Sequence, residues 1–205
     1  MTTTRFFLTA ALLGATACAP PLEADDASLE TEDAGPIDAD GGPQVDHEDL
    51  GDGVTATRVD ATADGGWVYL DLSDGQQLEV DDPQANLDWD LAFRRFHIKL
   101  NGGASGGGGV EAAIVEDPSF ETLSSAPADG YLYDQPDGDD EDDEPDYVLQ
   151  DWYDYDIMTH VLTPAPVVYV IRHEDGYTKL VLDGYYDDAG TSGHPSFRWA
   201  SVAPP

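Results

Sequence analysis

The chain has 205 residues, with 43 Asp and Glu against 8 Lys and Arg and a formal net charge of -35. So negative a balance excludes nucleic acid as a partner, because neutralising phosphates requires clustered basic side chains. The single cysteine, Cys18, excludes an intramolecular disulfide.

The N-terminus, "MTTTRFFLTAALLGATACAPP", places Arg5 before an apolar run from Phe6 to Leu13, with small residues leading to Cys18. This is the order of a secretory signal. The apolar run is too short to span a bilayer, which needs about 20 residues. Cys18 stands where a bacterial lipobox places its lipidated cysteine, although Ala15 replaces the commoner leucine. The expectation is a lipoprotein signal peptide over residues 1–17 and an acyl (palmitate-type) anchor on Cys18; ordinary cleavage near "ATA" is the alternative. The chain is then exported and lipid-anchored, at the outer membrane, and touches the membrane through that anchor alone. Residues 18–53 are expected to form a disordered acidic linker, since Glu23 to Asp52 carries twelve carboxylates and no Lys or Arg. Such a segment cannot bury enough apolar surface to offset its ordering entropy. A folded domain is expected over residues 54–205.

Within that domain the candidate strands are short, β-branched or aromatic, and punctuated by Gly, Asp and Pro. In chain order they are "WVYLDL" (Trp67 to Leu72), "QQLEV" (Gln76 to Val80), "DWDLAFRRFHIKL" (Asp88 to Leu100) and "VEAAIV" (Val110 to Val115). "PVVYVIR" (Pro166 to Arg172), "YTKLVLDGYY" (Tyr177 to Tyr186) and "FRWASV" (Phe197 to Val202) follow. No helical stripe with a cap is present, so the predicted class is all-β, a mostly antiparallel sheet domain. "SDGQ" and "EDGY" read as type I′ hairpin turns. In the Trp89 segment, Trp89, Leu91 and Phe93 alternate, and the apolar set resumes one residue out of phase at Phe96, Ile98 and Leu100. The slip predicts a bulge or sharp twist near Arg94-Arg95.

"GASGG" (Gly103 to Gly107) fits a nucleophile elbow at Ser105 in letters only. Four glycines from Gly106 stand where the helix of that motif should start, each costing about 1 kcal/mol relative to alanine. No lysine lies in Asn101 to Gly109 for a phosphate loop. The glycines are expected to give close backbone approach or a mobile flap, and no catalytic constellation or enzyme activity is expected. Asp137 to Asp146 holds eight carboxylates. It reads as a solvated, self-repelling loop, with a calcium site as the alternative.

Of the five histidines, His47 falls in the linker, His97 is expected to face solvent beside Arg95 and Lys99, His173 flanks a turn and His194 lies in a Gly/Pro loop. His160 stands apart in the aromatic run "WYDYDIMTHVLTP". If that run is extended, Met158 and His160 share a side, and both side chains are of haem-ligand type. A half-buried sheet histidine is the alternative.

"NLDWDLAFRRFHIKLNGGASGGGGVEAAI" resembles the signature of the HmuY family of bacterial surface lipoproteins: Trp-Asp-hydrophobic-Ala, an Arg, an alternating strand, Asn-Gly-Gly and a Ser-Gly-rich loop. "VVYVIRHEDGYTKLVLDGYYDDAGTSGHPSFRWA" resembles the family's closing hairpin and last strand. The resemblance implies an all-β domain and haem capture by two loop histidines. The corresponding region, Tyr131 to Pro164, contains one histidine, His160. The implied cofactor is therefore haem held by His160 or Met158 singly, with haem or a haem-carrying protein as partner. The alternative is a haem-independent adhesion or interaction lipoprotein on the same fold, with a calcium-responsive Asp137 to Asp146.

Overall fold

The computed structural model describes residues 44–63, 66–115, 119–138 and 144–205. The signal segment, Cys18, most of the expected linker and the centre of the acidic loop lie outside the described residues. Within them, regular structure is strand only: β1 (Val45–Gly51), β2 (Val54–Val59), β3 (Val68–Leu70), β4 (Gln77–Leu78), β5 (Leu91–Arg94) and β6 (His97–Leu100). Then come β7 (Glu111–Val115), β8 (Tyr153–Asp156), β9 (Val161–Pro164), β10 (Val168–His173), β11 (Gly176–Tyr186) and β12 (Ser192–Ser201).

A six-stranded sheet runs β1-β2-β12-β11-β10-β7, a four-stranded sheet runs β4-β3-β5-β6, and β8 and β9 form a separate hairpin. Every ladder is antiparallel, as expected from the short alternating strands. The core lies between the two larger sheets. Leu70, Leu91, Phe93, Ile98 and Leu100 from one meet Tyr169, Ile171, Leu180, Leu182 and Phe197 from the other. Phe93 stacks on Phe197 across the gap, ring centroids 5.3 Å apart. The far face of the large sheet carries a smaller cluster in which Val168 and Ala200 pack with Phe120. Lys179 pins the Phe120 segment there by donating to the carbonyls of Phe120 and Leu123 at 2.7 and 3.0 Å.

Three expectations change. The linker was expected to reach residue 53, but β1 occupies Val45–Gly51 and pairs with β2. The reason is the Asp-Gly pair at Asp52-Gly53: φ is +53 and +75, the positive values at both central residues that a type I′ turn requires. That hairpin brings an acidic strand into a sheet, and Val45 is buried. By contrast, "EDGY" is not a mirror-type turn, because among the positive-φ residues only Gly176 of that stretch appears, at +141. "SDGQ" likewise closes a wider loop in which Gly75 N donates to Asp71 O at 2.9 Å.

The third change concerns Asp88 to Leu100, which is two strands rather than one bulged strand. β5 and β6 pair with Arg94 opposite His97, and the turn is Arg95-Phe96. Arg95 takes φ +52, so a non-glycine residue supplies the left-handed conformation. Its N–H donates to Ala61 O at 2.9 Å and its guanidinium to Ser192 Oγ at 3.0 Å. The one-residue slip in the apolar pattern is thus a chain reversal: both strands put their apolar residues on the same face of one sheet.

Candidate functional site

The glycine loop after β6 is packed around a side chain. Asn101 is fully buried and donates through Nδ2 to Trp89 O at 2.7 Å and Asn86 O at 3.2 Å. Its Oδ1 accepts from Gly108 N at 2.9 Å. A Cβ on Gly106 would lie 2.1 Å from that Oδ1, and one on Gly103 would lie 2.1 Å from Asp134 O. Close approach, rather than a mobile flap, is the reason for glycine here. Ser105 is 6% exposed, beside the Asp134 carboxyl, so it is not presented to solvent as an elbow nucleophile is. Asp134 itself is buried and accepts from Leu100 N and Val148 N, both at 2.9 Å. Burial raises its pKa, and those bonds oppose the rise. It staples the end of β6 to the segment that leads into β8.

The Trp-Asp pair of the signature is equally architectural. Trp89 is buried against Tyr69 on the outer face of the small sheet, centroids 5.0 Å apart. Asp90 Oδ2 accepts from Leu72 N at 2.8 Å. His97 and Lys99, expected in solvent, face this same aromatic layer. His97 is half-buried, its ring 4.2 Å from Phe96 and 5.9 Å from Tyr147. Lys99 is buried, with Nζ 4.2 Å from the Trp67 centroid, 5.1 Å from Tyr69 and 5.3 Å from Trp89. Burial lowers its pKa to about 8. Trp67 and Tyr69 alternate and give β3 its outer apolar face. Trp89, whose alternation with Leu91 and Phe93 placed it on their face, instead joins Tyr69 and Ala92 on the outer one, because the regular strand begins only at Leu91.

His160 and Met158 belong to the β8–β9 hairpin, and they are not strand residues. The turn spans residues 157–160, where Asp156 Oδ1 accepts from Met158 N at 2.8 Å and Thr159 N at 3.3 Å. Asp156 O accepts from His160 N at 2.7 Å, and His160 takes φ +58. These bonds, the Met158 N–H bond first, hold the Asp156 carboxyl below its ordinary pKa. Met158 and His160 therefore do not alternate along an extended strand; both lie in the one turn. At the tip Met158 is 85% exposed and Ile157 74%. His160 Nδ1 shares a 2.5 Å hydrogen bond with Tyr155 Oη. With the proton on Nδ1, the Nε2 lone pair is available to a ligand.

The hairpin base faces a cavity of about 240 Å³ lined by residues that include Phe96, His97, Tyr147 and Tyr153, with Glu144 and Asp151. Arg94 pairs with Glu144 at 2.7 Å, which in turn accepts from Tyr147 Oη at 2.6 Å. The described ends of the acidic stretch are thus tied down, Gln135 bridging Asp146. Residues 139–143, at the centre of the calcium alternative, lie outside the described residues. No group of three or more His, Cys, Asp or Glu among the described residues is placed to hold a metal ion.

A haem iron needs an unencumbered nitrogen or thioether donor, and His160 Nε2 and Met158 Sδ fit that need. Neither residue lines the cavities about Asp46, Tyr153 or Tyr177, so the donors stand outside a slot that would enclose the ring. The Lys and Arg side chains of the described residues are engaged within the protein. Arg58 meets Asp188, Arg94 Glu144, Arg95 Ser192, Arg172 Glu111 and Arg198 both Asp183 and Glu121. Lys99 and Lys179 are held as described above.

Of the other histidines, His47 bridges Thr57 Oγ1 and Gly75 O, both at 2.8 Å, and ties β1 to the β3–β4 loop. His173 Nε2 meets Thr178 Oγ1 at 3.0 Å, and Asp90 Oδ2 lies 3.8 Å from its Nδ1. This Asp-His-hydroxyl series does not present a nucleophile to a substrate, because Thr178 is 1% exposed.

Fold and hairpin together define an antiparallel two-sheet β scaffold that projects a donor-bearing finger. The HmuY protein family model matches residues 63–199, and the chain belongs to the HmuY family. No curated protein matches it. Among solved structures, the apo HmuY analog of Tannerella forsythia superimposes with a TM-score of 0.58 at 19% identity, over 77% of this chain and 96% of that one. A Bacteroides fragilis protein assigned as a lipoprotein gives 0.55 at 22%, covering 78% and 96%. A Bacteroides vulgatus protein assigned as HmuY-like and haem-binding gives 0.54 at 19%, covering 75% and 94%. At these identities the likeness is one of fold.

Proposed function

We propose that the protein is an exported lipoprotein, anchored through Cys18 at the outer membrane, that binds haem at the β8–β9 finger with His160 or Met158 as iron ligand. The observation that carries the reading is a single exposed turn that holds both an imidazole, hydrogen-bonded at Nδ1, and a solvent-facing thioether. The family supports it, as do the lipoprotein and haem-binding assignments of the two Bacteroides neighbours. When bound, haem would supply an iron that accepts a nitrogen or thioether donor, and His160 or Met158 would provide it. The chain's own part is to orient them: Asp156 shapes the turn, and Tyr155 fixes the imidazole. Ile157 and Tyr155 offer apolar contact to the macrocycle.

A second reading is a haem-independent interaction module. It is favoured by the engagement of the described Lys and Arg side chains within the protein, which leaves no cation for the haem propionates. Titration of the chain lacking residues 1–18 with haemin, followed by Soret absorbance in both iron oxidation states, separates the two. Saturable binding lost in His160→Ala or Met158→Ala assigns the ligand. Binding unchanged in the double variant rejects the finger as the site, and no saturable spectral change rejects haem.

A further inference from the structure

We propose that the cavity at the base of the finger, between the β5–β6 turn and the lead into β8, binds a quaternary ammonium group within a cage of aromatic rings. The site is separate from the iron donors at the finger tip and does not depend on haem.

The cavity measures about 240 Å³, and its lining includes Phe96, His97, Glu144, Tyr147, Asp151 and Tyr153. Four of these six carry rings, and the rings are set across one another. Phe96 and Tyr153 stand 6.0 Å apart, centroid to centroid, with an interplanar angle of 70°. His97 and Tyr147 stand 5.9 Å apart at 69°. Phe96 and His97 join the two pairs, with centroids 4.2 Å apart and a tilt of 33°. Around one cavity such rings offer π-surface from more than one direction, as a cage for a cation requires.

The walls are fixed without the cavity being filled. Trp152, fully buried, donates through Nε1 to Phe96 O at 2.8 Å and packs on Tyr153 with centroids 5.0 Å apart. Tyr147 is 5% exposed. Phe96, by contrast, is 36% exposed although its backbone is tied down at Trp152. Its ring leaves apolar surface at the cavity that a bound group would cover.

The polar groups specify which group. Glu144 is engaged: it accepts from Tyr147 Oη at 2.6 Å and pairs with Arg94 at 2.7 Å. Arg94 does not line the cavity, and its guanidinium lies 4.5 Å from the Trp67 centroid. Asp151 is exposed at the cavity and forms no ion pair among the described residues. After burial, its charge is what raises the pKa of the Tyr153 hydroxyl, so it acts on the cage wall. Ring surface with one uncompensated carboxylate repels anions and attracts a cation. A primary ammonium or a guanidinium would turn several N–H donors toward rings, where most stay unmet at a desolvation cost. A trimethylammonium has no N–H to satisfy and carries its charge on methyl groups that suit the rings. The volume, below the 300–1,000 Å³ or so of drug-sized sites, accommodates such a head group rather than a macrocycle.

Choline titrated into the full chain by calorimetry at constant ionic strength tests this, with ethanolamine, the same stem ending in a primary ammonium, as the comparison. The expected result is saturable choline binding, tighter than that of ethanolamine by about tenfold or more. Phe96→Leu keeps an apolar side chain at an exposed position and removes the π-face, and it should weaken choline by about tenfold. Asp151→Asn should weaken it by about threefold, as befits an exposed charge, and Glu48→Gln on β1 should leave it unchanged. Absence of saturation overturns the proposal, and so does wild-type affinity in Phe96→Leu. Equal affinity for choline and ethanolamine, or equal weakening by Asp151→Asn and Glu48→Gln, also overturns it, by marking general attraction to an acidic protein.

Discussion

Asn101 Nδ2 donates to the carbonyl oxygen of Trp89 at 2.7 Å, and the amide's Oδ1 accepts from Gly108 N. One buried side chain thus joins the lead into β5 to the glycine loop that follows β6. Asn101→Ala leaves two carbonyls and one N–H unsatisfied, with expected destabilisation of about 1–3 kcal/mol per abandoned group, less what water recovers. Gly106→Ala drives a Cβ toward Asn101 Oδ1 and should cost about 1–3 kcal/mol by overpacking. Urea midpoints with an unchanged m-value are the check; equal midpoints for wild type and Asn101→Ala would remove Asn101 from the network.

Much of this was legible in the residues. Seven segments named from alternation became strands, and the Asn-Gly-Gly and Trp-Asp pairs marked the two buried hubs. The losses have physical causes. Period-2 alternation records which face a residue occupies and is blind to direction, so the reversal at Arg95-Phe96 looked like a bulge. Acidic composition hid β1, because an edge strand buries one residue, Val45, and exposes the others. The finger was hidden because its aromatic run reads as one extended stretch, whereas the chain reverses at residues 157–160, where Asp156 shapes the turn. His173 and Asp90 are 83 positions apart in sequence, and only pairing of β10 and β5 into facing sheets brings them within 3.8 Å.

β1 makes a direct prediction about boundaries. A chain starting at Val54 loses the β1–β2 ladder, the burial of Val45 and both hydrogen bonds of His47. It should melt below a chain starting at Gln44 by a few degrees, on the order of 2–4 °C for each kcal/mol in a domain of this length. Coincident melting would mean that β1 adds nothing to the sheet.

Asp90 makes stability depend on pH with a definite sign. Its folded pKa is raised, mainly by burial, from 3.8 to about 7. Its contribution to stability is therefore full below about pH 4 and is lost as pH rises through 7. His173, with a lowered pKa, contributes in the opposite sense: its share is present above its ordinary value and lost as pH falls through the folded one. Asp90→Asn isolates the first effect and keeps an acceptor for Leu72 N. The variant should gain on wild type between about pH 5 and 8, by a few kcal/mol at most. Parallel stability curves for the two proteins across that interval would refute the burial argument.

The finger should respond locally. Asp156→Ala removes the acceptor of Met158 N and Thr159 N without touching the core. Amide exchange at residues 157–160 should quicken, while the global urea midpoint stays within about 0.5 kcal/mol of wild type. The paired variant His160→Asn keeps a residue tolerant of positive φ and removes the imidazole. It should preserve slow exchange and lose any haem signal that depends on Nε2. Loss of the turn in His160→Asn would show that the Tyr155 hydrogen bond, not Asp156, shapes it.

Lys99 offers the sharpest separation of packing from charge. Its stem and Nζ are enclosed by Trp67, Tyr69 and Trp89, and Nζ meets Tyr69 Oη at 3.4 Å. Burial, then the repulsion of Arg94, lowers its pKa from 10.5 to about 8, so near neutral pH the buried amine carries a charge that its site disfavours. For a depressed group the stability contribution is present above the unfolded pKa and lost as pH falls through the folded one. Lys99→Met keeps the volume and removes the charge, so it should match or exceed wild type at about pH 7, and its advantage should shrink toward about pH 9. Lys99→Ala opens the aromatic layer and should cost about 2–4 kcal/mol at either pH. If Lys99→Met is the less stable protein at neutral pH, attraction to the rings and to Asp134 and Glu144 outweighs desolvation, and the cation is a net support of the outer sheet face.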